Sequence, residues 1–163
     1  MDEPVAPESG TDAGRAVRAR VRTAALRRLA RREYSRAELA RKLSADFVQE
    51  APVAPVLDQL AAEGLQSDAR VAESLVASGV RRGHGPLRIR RELAERGIDI
   101  DLVQHALATA AVDWSALAVQ VCARKFGDGP APDWSERARR GRFLQYRGFA
   151  ADAIEAALNG HGA

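Results

Sequence analysis

The 163-residue chain is poor in aromatics (5%), has one cysteine, and uses lysine only at Lys42 and Lys125 among 25 basic residues. Each scarcity excludes something. The single thiol, Cys122, cannot close an internal disulfide, and His84, His105 and His161 are too scattered to form a metal set. With few aromatics, the 46% hydrophobic content is mostly Ala, Leu and Val. These suit close helix packing better than sheets, which favour β-branched and aromatic residues. Strand-like alternation is missing as well, so the chain reads as all-α. No run approaches the roughly 18–20 apolar residues that span a bilayer. The first 14 residues are acidic with no apolar core, unlike a signal or transit peptide. A cytoplasmic, reducing location without membrane association fits these features.

Catalytic signatures are missing too. Gly83-His84-Gly85-Pro86 is too short for a phosphate loop and lacks the following Lys-Ser/Thr. Cys122, inside Val119-Gln120-Val121-Cys122-Ala123, reads as a buried small hydrophobe rather than a nucleophile. Neither an enzyme nor a cofactor is expected.

An internal repeat is present. Leu93, Gly97, Ile98, Val103 and Leu107 recur as Leu144, Gly148, Phe149, Ile154 and Leu158, displaced by 51 residues. A weaker copy lies 50 residues upstream: Leu43, Val48, Val53 and Leu57, with Phe47 in the glycine position. Leu26, Arg31, Tyr34 and Leu39 likewise match Val76, Arg81, His84 and Ile89. The third copy is stretched by the loop from Gly127 to Pro132. The expected fold is a tandem array of three three-helix repeats, elongated and curved. Its boundaries are an unstructured tail over 1–14, then repeats over 15–65, 66–112 and 113–160.

Local signals place the helices. Leu26, Leu29 and Ala30 make an apolar stripe, and Ser35-x-x-Glu38 is a capping box. Pro52 or Pro55 starts a third helix, and Asp68 caps a fourth running to about Arg82. Gly83-His84-Gly85-Pro86 stops that helix and restarts the chain. Asp99 or Asp101, then Asp113, then Asp133 with Glu136, cap the later ones. Gly79 falls inside a helix at a cost of about 1 kcal/mol relative to Ala, with nothing in the sequence to account for it.

Charge follows the repeat. Residues 15–42 are net +9, 43–80 are −5, 81–97 are +4, 98–123 are −3 and 124–147 are +4. The first two helices of each unit are therefore basic, and the third is acidic or neutral. On a wheel of about 100° per residue, Ile89 and Leu93 face inward while Arg88, Arg91 and Glu95 face away. Arg90 leans towards the apolar arc as a candidate ion-paired residue. Arg91 stands two residues before its anchor leucine, as Arg41 and Arg142 do before theirs. One such arginine is an ordinary solvated side chain, but three in register suggest a binding stripe.

The Leu-x3-Gly-x5-Val/Ile spacing also fits a helix-turn-helix. The would-be recognition helices, 99–110 and 150–158, hold no Arg or Lys and carry Asp99, Asp101, Asp152 and Glu155. Phosphate would repel them, so operator reading is excluded, whereas the basic helices can still track a nucleic-acid backbone. Trp114 and Trp134 are candidates for base stacking, but both begin helices and are read as core plugs at unit junctions.

Three stretches carry a family resemblance: Gly64-Leu65-Gln66-Ser67-Asp68-Ala69-Arg70, then Arg81 through Ile89, then Glu92-Leu93-x3-Gly97-Ile98. Together they resemble the central block of the RecX regulatory proteins, and Arg142 through Phe149 followed by Ile154 resembles that family's closing motif. The similarity covers about residues 20–160. Val71 departs from the family's usual aromatic, and Gly79 from a common basic residue. The resemblance implies a regulator of RecA, usually an inhibitor, acting in recombination, DNA repair and the SOS response. It would bind along the groove of the RecA–single-stranded DNA filament as a monomer and suppress ATPase, strand exchange and coprotease functions. The arginines taken as contacts to that partner or to nucleic acid are Arg31, Arg32, Arg41, Arg81, Arg82, Arg88, Arg91, Arg139, Arg142 and Arg147. A non-specific nucleic-acid-binding module and a protein-only helical adaptor are the alternatives.

Overall fold

A computed structural model describes residues 12–47 and 52–159, and helices are the only regular elements among them. The chain divides into two compact units, residues 1–68 and 69–163. The first holds α1 (Asp12–Leu29), α2 (Arg36–Asp46) and α3 (Val53–Ala62). α4 (Asp68–Arg81) opens at the boundary, and α5 (Pro86–Glu95) and α6 (Ile100–Thr109) complete the next triplet. The last triplet is α7 (Trp114–Phe126), α8 (Trp134–Tyr146) and α9 (Ala151–Asn159). Helix α1 starts at Asp12, inside the segment expected to be an unstructured tail; residues 1–11 of that tail, Val48 and His161 lie outside the described residues.

Each triplet encloses its own apolar cluster. In the first unit, α1 buries Val21 and Ala25, with Val17 and Leu29 continuing that stripe at helical spacing. Leu26 is only partly buried and Ala30 is exposed, so the stripe is rotated from the one read off Leu26, Leu29 and Ala30. Against it pack Leu39 and Leu43 of α2 and Val56, Leu57 and Leu60 of α3. Pro52 occupies the cap position of α3. Pro55 then falls in the first turn, where a missing N–H leaves no intrahelical bond unmade.

The capping box of α2 forms as the sequence requires. Ser35 Oγ accepts from the Glu38 N–H at 3.1 Å, and Glu38 Oε2 accepts from the Ser35 N–H at 3.0 Å. Asp68 has a different role from the expected cap. It is the first residue of α4, and its carboxylate accepts the Arg36 N–H (2.8 Å) and Gln66 Nε2 (2.7 Å). It thereby satisfies one of the free N–H groups that open α2. Asp99, Asp113 and Asp133 cap α6, α7 and α8. Only half of the expected Asp133–Glu136 box forms, because the Glu136 carboxylate turns to Arg139 and Arg140 instead.

In the second triplet Val71, Leu75 and Val76 of α4 pack with Ile89 and Leu93 of α5 and Val103 and Leu107 of α6. Gly79 now has a reason: a Cβ there would lie 2.6 Å from Ile89 Cγ1 and 2.7 Å from Ile89 Cδ1. Ile89 is fully buried and has no room to give way. The missing side chain allows α4 and α5 to approach closely, which outweighs the helix-propensity cost. Gly79→Ala should therefore destabilise by about 1–3 kcal/mol, through overpacking, instead of stabilising. Urea unfolding of Gly79→Ala, Ile89→Ala and the double variant checks this: the double variant should be more stable than the summed single losses predict.

Candidate interaction surface

The middle helix of each triplet is phased by its anchor leucine. Leu43, Leu93 and Leu144 are completely buried. A residue two positions earlier is turned by about 200°, to the opposite side of the helix. Arg41, Arg91 and Arg142 occupy that position, and all three are exposed with no ion pair among the described residues. Arg31 and Arg81, equivalent in the first two copies, are likewise exposed and unpaired. Arg90 does not lean inward; it too is exposed and unpaired.

The other five candidates are engaged within the chain. Arg32 Nη2 donates to Glu38 at 3.0 Å, and its guanidinium lies 3.5 Å from the centre of the Tyr34 ring. The bond to Glu38, more than any other influence, raises the Arg32 pKa. Arg82 and Arg88 share Glu92, at 3.4 and 3.0 Å. Arg139 pairs with Glu136, and Arg147 Nη1 donates to the Arg82 carbonyl at 2.7 Å. Sequence reading missed the inward roles of two further arginines. Arg140, in the third-copy position of Ile89, is buried and donates to the Gly129 carbonyl, while Arg137 donates to the Leu158 carbonyl at the end of α9. For Arg140 the i, i+4 spacing to Glu136 was an available signal; for Arg137, whose partner lies 21 residues away, the sequence offered none.

The two motif-bearing turns meet inside the second unit. The Gly85 N–H donates to the Arg147 carbonyl at 2.8 Å, and the Leu87 N–H donates to the Gly148 carbonyl at 3.0 Å. This approach requires glycine on both sides. A Cβ on Gly85 would overlap the Gly148 carbonyl, and one on Gly148 would fall 2.5 Å from the Arg88 nitrogen, with φ of +87° already strained for any other residue. Around the paired turns stand Arg82, Arg88, Arg147 and Glu92, with His84 buried beneath them. His84 Nδ1 lies 3.5 Å from Glu92 Oε1 and makes no hydrogen bond. Burial, and then the charges of Arg88 and Arg82, hold the His84 pKa below the ordinary imidazole value.

The aromatics divide sharply. Trp114 packs against the apolar cluster of the second triplet, as a junction plug should. Trp134 does not: it is 82% exposed, and Tyr146 at the other end of α8 is 76% exposed. Asp133 caps the helix from the residue before Trp134, and the ring is not part of the apolar cluster of its triplet.

The His84 environment sets a pH dependence. Its native pKa is depressed, so below about pH 6.5 the unfolded chain binds the proton more readily than the native one. Stability should therefore fall as pH drops below that value. Chemical denaturation across pH 7.5 to 5 should show this slope, and His84→Gln should flatten it.

Comparison with known proteins matches this geometry. Residues 22–60, 67–107 and 113–158 match the first, second and third three-helix domains of RecX. A protein of Halorhodospira halophila named Regulatory protein RecX is 48% identical over 147 residues, 90% of this chain and 91% of that one. One of the same name from Chromohalobacter salexigens is 46% identical over 134 residues, 82% of this chain and 88% of that one. The crystal structure of RecX from Lactobacillus salivarius superposes with a TM-score of 0.77 at 22% identity, over 89% of this chain and 96% of that one. Three helical triplets with anchor leucines, glycine-closed turns and these relatives place the chain in the RecX family of regulatory proteins.

Proposed function

We propose that the chain binds along the groove of the RecA–single-stranded DNA filament and inhibits RecA ATPase, strand exchange and coprotease activity. It acts as a cytoplasmic monomer and as a regulator without a reaction of its own. The observation that carries this reading is the recurrence of an exposed arginine, with no ion pair among the described residues, at one helical position in three copies: Arg41, Arg91 and Arg142. A filament presents equivalent surfaces at regular intervals, so equivalent cations on successive repeats meet equivalent acidic or phosphate groups. Contacts that are weak one at a time add through effective concentration. Arg31 and Arg81 extend the stripe in two copies. The internally engaged Arg32, Arg82, Arg88, Arg139 and Arg147 contribute to the field around it more than to direct contact.

The test is the single-stranded-DNA-dependent ATPase of RecA, titrated with the chain from substoichiometric amounts. The rate should fall well below one chain per RecA. In Arg41→Glu/Arg91→Glu/Arg142→Glu the half-inhibitory concentration should rise at least about tenfold, since three surface contacts of roughly 0.5–1 kcal/mol compound. Unchanged inhibition by that variant would overturn the assignment. Tight, steeply salt-dependent binding to naked DNA without effect on RecA would identify a nucleic-acid module instead. DNA-independent binding to a protein that survives high salt would identify an adaptor.

A further inference from the structure

We propose that the outer face of α8 is a stacking platform for single-stranded nucleic acid, with Trp134 and Tyr146 each taking a base and Arg142 holding the phosphates between them. The inference deepens the reading above, and rests on it, by naming what the Arg142 face touches. The chain has eight aromatic residues, and the other six are at least partly buried. The two exposed ones are the first and last residues of one helix. They are separated by twelve residues, about 18 Å at 1.5 Å per residue. That spans several nucleotides, since a duplex strand advances about 3.4 Å along its axis per phosphate.

Rotation places them together. With Arg140 and Leu144 inward, Arg142 is at the centre of the exposed arc, and Trp134, Arg139 and Tyr146 all fall within about 80° of it. Ser135 and Gln145 complete this exposed face. The only carboxylate within α8, Glu136, is drawn to Arg139 and Arg140, so the arc presents positive charge and ring faces without an acid. Arg88 lies 5.8 Å from the centre of the Tyr146 ring.

The spacing favours a nucleic acid over a protein partner. Protein hot spots cluster their anchors at the centre of a patch. Here the rings stand at the two ends with cations between, the alternation that lets a backbone track a basic groove while bases stack. Every base has a π-face, so the platform reads strandedness, because bases in a duplex are already stacked on each other.

The experiment uses the full chain with a 30-nucleotide oligo(dT) and a duplex of equal length. In Trp114→Phe, which leaves Trp134 as the only indole, oligo(dT) should quench the tryptophan emission and the duplex should not. Trp134→Ala and Tyr146→Ala should each weaken oligo(dT) binding about 5- to 150-fold, the effect of one stacking contact, with little change for duplex. Trp134→Phe should restore most of the loss, and circular dichroism should show the folded helices in each variant. Unquenched emission with unchanged oligo(dT) affinity overturns the platform. So does loss of RecA inhibition at unchanged oligo(dT) affinity, which would place the rings against protein and leave the regulator reading standing. RecA inhibition by a chain that does not bind oligo(dT) also overturns the platform alone. Quenching with no effect on RecA would support the platform and overturn the regulator.

Discussion

Leu43, Leu93 and Leu144 are withdrawn completely from solvent, and that burial sets the rotation of α2, α5 and α8. Each leucine is worth about 2–5 kcal/mol against truncation to Ala, far more than any surface ion pair. The cores therefore decide what the helices show, and the residue two positions earlier has no choice but to face outward. Repeating an anchor repeats its outward neighbour, so one outward arginine per triplet follows from packing once those three positions encode arginine.

Carboxylates decide which arginines remain free. Glu38, Glu92 and Glu136 draw in Arg32, Arg82, Arg88, Arg139 and Arg140. No carboxylate pairs with Arg41, Arg91 or Arg142 among the described residues. Around Glu92, one acid shared by two arginines leaves a surplus of positive charge above His84, whose pKa burial and those arginines hold low. The field there is cationic at any pH at which the chain is folded, because guanidinium does not titrate.

Much of this was legible in the sequence, and the rest was not for physical reasons. Period and caps are local, so the Ser35–Glu38 box, the Gly83–Pro86 restart and the glycine after each of Leu93 and Leu144 could be read directly. Gly79 could not, since its reason is Ile89 on another helix. Asp68 looked like a cap for its own helix but serves the start of α2, a partner 32 residues away. Trp134 was misassigned because a tryptophan at a helix start usually finds a neighbour to pack on, and here the preceding loop supplies none. Of ten candidate arginines, the five with a tertiary acid, carbonyl or ring partner could not be separated from the free five by spacing alone.

The central claim is that three repeats present one equivalent contact each. Binding of preformed RecA–single-stranded DNA filaments, measured with Arg41→Glu, Arg91→Glu and Arg142→Glu singly and in every combination, tests it most directly. The account predicts comparable losses from each single change that add in free energy, as changes at sites with no shared partner do. A series in which one arginine carried the whole loss, or none changed the affinity, would contradict it.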